Sequence, residues 1–197
     1  MPIVKTREYR NLQTLEPNMK EKRIDSEYYV EGFATTFDPY ELFEVDGVSY
    51  YEQIERNAFI GADMSDVIMQ YDHTGRVMAR QSNGSLIIEP NDEGLFMCAD
   101  LSKSDASRSL YEDISQGLVT KMSWAFTVAD EEYNRDTRTR LIKRVKKVYD
   151  VSAVSIPAND DTLISARSFF DGVIEEEKQE LLERRRQLLR IKLKLEE

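Results

Sequence analysis

Three residues of this chain have side chains that together could carry out nucleophilic catalysis. Ser123 lies in the apolar stretch 119–128, and His73 is the only histidine of the sequence. Asp150 directly precedes a second apolar stretch, residues 151–156. A serine hydroxyl needs a base to become a nucleophile, and a carboxylate can orient that base. We therefore predict a catalytic triad of Ser123, His73 and Asp150.

The stretch around Ser123 alternates as a β-strand does. Its apolar positions fall on one face: Leu118, Met122, Trp124, Phe126 and Val128. The opposite face carries small and polar residues: Lys121, Ser123, Ala125 and Thr127. Successive side chains of a strand point to opposite faces, so we expect the apolar set in the core. The polar set is expected to leave space for a substrate beside the serine hydroxyl.

Other residue pairs could perform related chemistry. Cys98 could pair with His73, but its apolar neighbours favour a buried thiol that behaves as a small hydrophobic group. Lys103 or Lys121 could serve a serine–lysine mechanism, and Lys121 lies two residues from Ser123 on the same strand face. We rank the serine–lysine mechanism below one in which the histidine is the base.

Composition argues against several functional classes. The net charge is −10 and the pI about 4.8, whereas nucleic-acid binding requires clustered Lys and Arg. One cysteine and one histidine are too few for a structural zinc site, and no phosphate-binding glycine loop or dinucleotide motif occurs. We therefore predict no cofactor, no metal and no nucleic-acid partner. The apolar stretches are too short for a signal peptide or a membrane span, which indicates a soluble, intracellular protein without membrane contact.

Short strands are expected to position the triad. The predicted strands cover residues 27–37, 66–73, 76–80, 85–89, 95–101, 119–128, 141–148 and 149–156. Within residues 66–73, alternation places His73 and Asp72 on opposite faces. The acid nearest to His73 in sequence is therefore not its expected partner. Residues 40–62 are predicted to be largely irregular, and residues 130–139 to form the tip of a hairpin.

Helices are predicted at three places. A short helix is expected over residues 51–59, and a second runs from its N-cap Ser104 to Gln116, with Gly117 as terminator. The third covers residues 171–197, where apolar residues recur every seven positions: Ile174, Leu181, Leu188 and Leu195. This spacing is typical of a coiled coil. Further leucines in the segment widen the apolar face, so the helix could also pack against the rest of the protein.

Three segments follow from these patterns. Residues 1–22 are polar and are interpreted as an N-terminal arm or a weak first strand. Residues 23–170 form the predicted catalytic domain. Residues 171–197 form a helical tail that could pair as a coiled coil or contact a scaffold.

Several motifs resemble the tailed-phage prohead (capsid maturation) serine proteases, a family related to the herpesvirus assemblin. The resemblance covers residues 28–168 and keeps the family's order of motifs. The most specific are Met-Ser-Trp-Ala-Phe at 122–126 and Asp-Val-Ser-Ala-Val-Ser-Ile-Pro-Ala at 150–158. Others are Glu-Gly-Phe-Ala at 31–34, Ile-Glu-Arg-Asn-Ala-Phe at 54–59, the strand ending in His73, Gly-Ser-Leu at 84–86, and Gly-Leu-Val at 117–119.

The resemblance implies a fold, a site and a substrate. The fold would be β-rich α+β, an assemblin-like closed β-barrel flanked by helices, with the charged C-terminal helix added. Ser123 would match the family's nucleophile, His73 the base and Asp150 the third member. The substrate would be the scaffolding segment of the major capsid protein, and the protease would also cut itself. It would act inside the phage procapsid in the bacterial host cytoplasm, and a homodimer is possible.

Two rival functions stay open at this point. The first is a non-catalytic capsid assembly or scaffolding module that retains the protease fold. The second is another acyl-transfer enzyme, such as an esterase, acting with the same residues. The donors of an oxyanion hole are not assigned, and the loop 157–161 after the strand of Asp150 is the candidate segment.

Overall fold

The computed structural model of the protein describes residues 7–17, 22–155 and 160–195. These residues form ten strands and two α-helices, which confirms the β-rich α+β class. The strands are β1 Glu8–Pro17, β2 Tyr29–Thr36, β3 Tyr40–Val45, β4 Val48–Ile54, β5 Ile68–Tyr71, β6 Thr74–Arg80, β7 Leu86–Pro90, β8 Gly94–Asp100, β9 Lys121–Asn134 and β10 Thr139–Val154. The helices are α1 Asp105–Ser115 and α2 Asp160–Leu195.

The strands pair in the order β3-β4-β10-β9-β1-β2-β8-β7, and β5 joins β10 to β6 beside this path. Most pairs are antiparallel, but β10 runs parallel to both β4 and β5. Among the described residues this order is an open path that ends at β3 and β7. Closure into a barrel is therefore not confirmed.

The core lies on the apolar face of β9 and on the facing residues of its neighbours. Met122, Trp124, Phe126 and Val128 are all buried, and the ring of Trp124 stacks on that of Phe126. The predicted core face of this strand is thus confirmed over these four residues. Leu118 is the exception, because it precedes the strand and is 72% exposed.

The N-terminal segment enters the sheet as a full strand. β1 lies between β9 and β2, and its backbone at Asn11 is in register with Ser123. Of the two interpretations of this segment, the structure has a strand over Glu8–Pro17. Because β1 has a neighbouring strand on each side, its backbone N–H and C=O groups can form hydrogen bonds in both directions.

Residues 40–54 form a hairpin, so the prediction of irregular structure is wrong over this range and holds only for residues 55–62; the helix predicted over 51–59 is wrong. Strands β3 and β4 meet at Asp46 and Gly47, which have φ values of 53° and 78°. A two-residue turn with positive φ at both positions, often Asp-Gly, matches the twist of a hairpin. The end of β4 then pairs with β10, a contact between distant segments that outweighs the local preference.

β9 and β10 form one long hairpin. The predicted tip at 130–139 is too wide, because β9 continues to Asn134, and the strands predicted over 141–148 and 149–156 are one strand through Val154. Irregularities in register occur between Ile142 and Arg144, and again between Val148 and Asp150. Such bulges interrupt the alternation, which explains why the sequence pattern breaks although the strand continues.

Both long helices are present, with one boundary shifted. α1 follows its predicted N-cap, since Ser104 Oγ accepts a hydrogen bond from the Ser107 N–H at 3.1 Å. Gly117, with φ of 72°, follows its end. α2 begins at Asp160, ahead of the predicted start at residue 171, and docks on β4 through Phe170, which touches Tyr50. The division into domains stays a prediction.

No helix in the described part of the chain combines the length and the apolar character needed to cross a membrane.

A buried group of charged residues, here called the arginine cluster, joins four strands. Its members are Glu8 and Arg10 of β1, Glu52 of β4, Glu131 of β9 and Arg140 of β10. All five side chains are at most 4% exposed. The Tyr40 hydroxyl donates a hydrogen bond to Glu52. No local pattern in the sequence indicates this cluster.

Candidate functional site

His73 lies at the tip of the β5–β6 hairpin. Asp72 and His73 form its two-residue turn with φ values of 49° and 56°, between the paired residues Tyr71 and Thr74. The predicted strand to His73 therefore ends at Tyr71, and the turn rather than strand alternation directs the imidazole. Positive φ is costly for residues other than glycine, so contacts elsewhere must hold this turn.

Asp72 fastens this turn to the end of β10. Its backbone N–H donates to the Ala153 carbonyl at 2.9 Å. Its carboxylate accepts hydrogen bonds from the backbone N–H of Ser155 at 2.9 Å and from the Ser155 hydroxyl at 2.8 Å. The Asp72 carboxylate thus bonds Ser155, in line with the prediction that it is not the partner of His73.

The turn brings the three predicted residues together. His73 Nδ1 lies 2.5 Å from Asp150 Oδ1, and His73 Nε2 lies 2.6 Å from Ser123 Oγ. Ser123 comes from β9 and Asp150 from β10, the two strands of the long hairpin, while β5 pairs with β10 from Ile68 to Tyr71. A serine, an imidazole and a carboxylate in one hydrogen-bonded row can move a proton from the hydroxyl to the ring.

Burial differs along this row. The His73 side chain is 16% exposed, Asp150 2% and Ser123 1%. The face that carries Ser123, Ala125 and Thr127 is itself buried, so the space expected beside the serine hydroxyl is not observed among the described residues. The imidazole is therefore the most accessible of the three groups.

Comparison with known proteins gives one match. The family model described as caudovirus prohead serine protease matches residues 14–175, which include Ser123, His73 and Asp150. The chain belongs to this family. It is accordingly a serine peptidase of phage capsid maturation, and the family name puts its place of action in the prohead. No curated protein and no solved structure matches the chain.

Two further residues of this prohead protease reach Asp150. The Ser152 hydroxyl donates to Asp150 Oδ1 at 3.0 Å, and Arg7 Nη1 lies 4.0 Å from Asp150 Oδ2. The Arg7 guanidinium also stacks over the Tyr149 ring, 3.8 Å from its centroid. Sequence reasoning missed both. A signal for Ser152 was present, since a residue two positions from Asp150 in a strand shares its face, whereas Arg7 has no local signal.

The alternative nucleophile and the alternative bases lie in environments that do not favour the chemistry considered for them. Cys98 packs with Tyr29 and Phe96, and its burial raises the pKa of the thiol, which opposes formation of a thiolate. Lys103 forms an ion pair with Asp100 at 2.9 Å. Lys121 is exposed at the start of β9.

The structure gives little information on the predicted oxyanion segment and no support for metal chemistry among the described residues. Residues 157–159 of the candidate loop lie outside the described residues. Within the residues that are described, no group of three or more His, Cys, Asp or Glu side chains could hold a metal ion.

Proposed function

We propose that this prohead protease is an endopeptidase that uses Ser123, His73 and Asp150 as its catalytic triad. Its substrate is the scaffolding segment of the major capsid protein, and it also cuts itself during procapsid maturation in the host cytoplasm. The observation that carries the proposal is the continuous hydrogen-bonded row from Ser123 Oγ through the imidazole to Asp150, with distances of 2.6 and 2.5 Å.

The chemistry follows from the roles of these atoms. As Ser123 Oγ attacks the scissile carbonyl, its proton passes to His73 Nε2, and the ring later returns it to the leaving amine. A water molecule then releases the acyl group with the same base. Asp150 accepts the Nδ1–H hydrogen bond, which keeps Nε2 free to take the proton and stabilises the imidazolium.

Intact-mass analysis of the parent beside a Ser123→Ala variant tests this proposal. Both proteins are incubated at high concentration, alone and after co-expression with the matching capsid protein. We expect terminal fragments of the parent or a shortened capsid protein only where Ser123 is present. Two results would contradict the proposal: cleavage by the folded Ser123→Ala variant at the parent's rate, or intact masses in every sample. The second would support a non-catalytic assembly module.

A small-ester substrate separates peptidase from esterase activity. If the parent hydrolyses esters rapidly but leaves the capsid protein whole, the same triad serves another acyl-transfer reaction. The His73→Ala variant provides the control, because it removes the proposed base while leaving Ser123 in place. We expect this variant to lose both activities together.

We further propose that the distal part of α2, residues 181–195, binds an acidic amphipathic helix of the scaffold. Leu181, Leu182, Leu188 and Ile191 are between 48% and 68% exposed. The segment carries six basic residues and one acidic residue, in a protein of net charge −10. Exposed apolar residues in a segment of net positive charge favour a negatively charged helical partner.

Truncation after Glu180 tests this contact. The anchoring residues Phe170 and Val173 are retained, so the truncated protein should keep its peptidase activity but enter procapsids poorly. Undiminished entry into procapsids would contradict the proposed scaffold contact. Light scattering of both proteins shows whether the same face instead joins two copies into a homodimer.

A further inference from the structure

We propose that Ser152 is a positioning residue that fixes the orientation of Asp150 in the triad, an inference that rests on the proposed function. The Ser152 hydroxyl donates to Asp150 Oδ1 at 3.0 Å. The same oxygen faces His73 Nδ1 at 2.5 Å. One carboxylate oxygen thus accepts two hydrogen bonds, one from the imidazole and one from a fixed neighbour in its own strand.

The backbone of β10 gives this hydroxyl its place. Ser152 is in register with Ser123 on β9 and with Gln70 on β5, so strands on both sides hold it. Asp150 lies two residues earlier, after the irregularity in register that follows Val148. Residues two apart in a strand share a face, which brings the Ser152 hydroxyl towards the Asp150 carboxylate.

Burial makes the hydrogen bond difficult to replace. Ser152 is 0% exposed and Asp150 2%. Without the Ser152 hydroxyl, Asp150 Oδ1 would keep only its hydrogen bond with the imidazole, and a buried acceptor that loses a donor costs free energy. The serine hydroxyl is therefore more than a packing element at this position.

The free rotation of a carboxylate explains why an orienting group is needed. The terminal torsion of Asp is broad, so a single hydrogen bond to the imidazole leaves the carboxylate plane free to turn away from the line of Nδ1–H. Arg7 attracts Oδ2 from 4.0 Å, but its side chain is 43% exposed and solvent weakens this attraction. The Ser152 hydroxyl holds Oδ1 towards His73, and the ring keeps its Nδ1–H tautomer.

Labelling of Ser123 by a fluorophosphonate probe provides the kinetic test, because it requires an activated serine but no known peptide substrate. We expect Ser152→Ala to lower the labelling rate about tenfold, the effect of one hydrogen bond to a charged group. Ser152→Thr keeps the hydroxyl and suits a strand, so it should restore most of the rate. Ser85→Ala is the matched control, since it removes a buried serine hydroxyl from the Arg80–Ser85 turn and should change the rate little.

Proton NMR gives a readout that a merely structural role would not move. The protein is labelled with ¹⁵N at histidine, so a low-field proton signal that couples to ¹⁵N belongs to His73, the one histidine of the chain, and not to a tyrosine hydroxyl. The spectra are recorded in a Ser123→Ala background, which prevents self-cleavage. We expect Ser152→Ala to shift or broaden this signal and Ser152→Thr to restore it.

The results separate this inference from the proposed function. A low-field signal that responds to Ser152→Ala supports the positioning role even if the parent cleaves nothing, which would contradict only the protease proposal. An active parent whose labelling rate and His73 signal are unchanged in Ser152→Ala would overturn the positioning role. If Ser152→Ala does not fold, Ser152→Cys replaces it, since a thiol of similar size is a weak donor and should give an intermediate rate. A Ser152→Cys rate equal to the parent's would equally overturn the inference.

Discussion

The proposed triad and the arginine cluster are two buried polar groups that share strands but differ in how their charges are satisfied. Both contain residues of β9 and β10. Residues at the start of β1 or directly before it contact each of the two groups. In the arginine cluster, the single guanidinium of Arg140 donates hydrogen bonds to three carboxylates, those of Glu8, Glu52 and Glu131. In the triad the hydrogen bonds run in a single row, and the imidazole at its centre is 16% exposed.

We expect this difference in charge pairing between a stabilising group and the reactive group that we propose. Each guanidinium in the arginine cluster bonds two or more carboxylates, and the pKa of Arg140 is raised because nearby Glu8 and Glu52 outweigh the effect of burial. The Ser123 hydroxyl, in contrast, faces a ring nitrogen that can take its proton. Closed pairing of charges favours one folded arrangement, whereas the open row can move a proton.

The largest expected effect is the loss of activity in Asp150→Asn. The amide has no negative charge to stabilise the imidazolium, and where its N–H faces Nδ1 the ring takes the tautomer with hydrogen on Nε2, which cannot accept the Ser123 proton. We expect the labelling rate of Ser123 to fall about 10⁴-fold, while the overall fold is retained. Fluorophosphonate labelling and circular dichroism check this prediction, and a rate within tenfold of the parent's would contradict the role of Asp150.

In the arginine cluster we expect a substitution to lower the stability of the fold and to leave the labelling rate nearly unchanged. Arg140→Met leaves three buried carboxylates without their shared cation, and should lower the free energy of unfolding by about 3–5 kcal/mol. The labelling rate of the molecules that remain folded should change little. Urea unfolding together with labelling at low denaturant measures both quantities. A cost below about 1 kcal/mol would show that the cluster contributes little to stability.

A finer comparison concerns two glutamates of the cluster. In Glu8, hydrogen bonds and charges from Arg140 and Arg10 overcome the effect of burial and lower the pKa. In Glu131, burial dominates and raises the pKa, and Oε1 has no hydrogen-bond partner within the described residues. We expect Glu8→Gln to cost roughly 2–3 kcal/mol in free energy of unfolding and Glu131→Gln about 1 kcal/mol or less.

The pH dependence of stability checks the sign of these two shifts. The contribution of Glu8 is present above its unfolded-state pKa of about 4.3 and is lost as the pH falls through its lower folded-state value. Glu8→Gln should therefore flatten this part of the profile. Glu131, with a raised pKa, opposes folding when ionised and ceases to do so as it takes up a proton. Equal profiles for the two variants would contradict the assigned directions.

The smallest expected effect is that of Lys121→Ala. The lysine is exposed at the start of β9, and the serine hydroxyl already bonds His73. We expect the labelling rate to stay within about twofold of the parent's, corresponding to less than 0.5 kcal/mol. A loss comparable to that of His73→Ala would indicate a serine–lysine mechanism instead.

Local patterns predicted some elements well and others poorly. The Ser104 cap, the amphipathic turns and Gly117 lie within one short segment, so the sequence predicted α1 nearly to its ends. The hairpin of β3 and β4 was missed although Asp46-Gly47 is a strong turn signal. Its second strand is completed by pairing with β10, and such distant pairing leaves no mark in a local window.

The sequence by itself determined which groups could perform the chemistry, because a single histidine and two distinctive strands narrowed the choice. The tertiary structure decided how they are oriented and what surrounds them. His73 points to its neighbours through a strained turn that Asp72 fastens to Ser155, not through strand alternation. The arginine cluster joins Glu8 to Arg140 across 132 positions of the chain. The physical reason is that hydrogen bonds between strands and buried charge pairs are formed by residues far apart in sequence, where local periodicity carries no information.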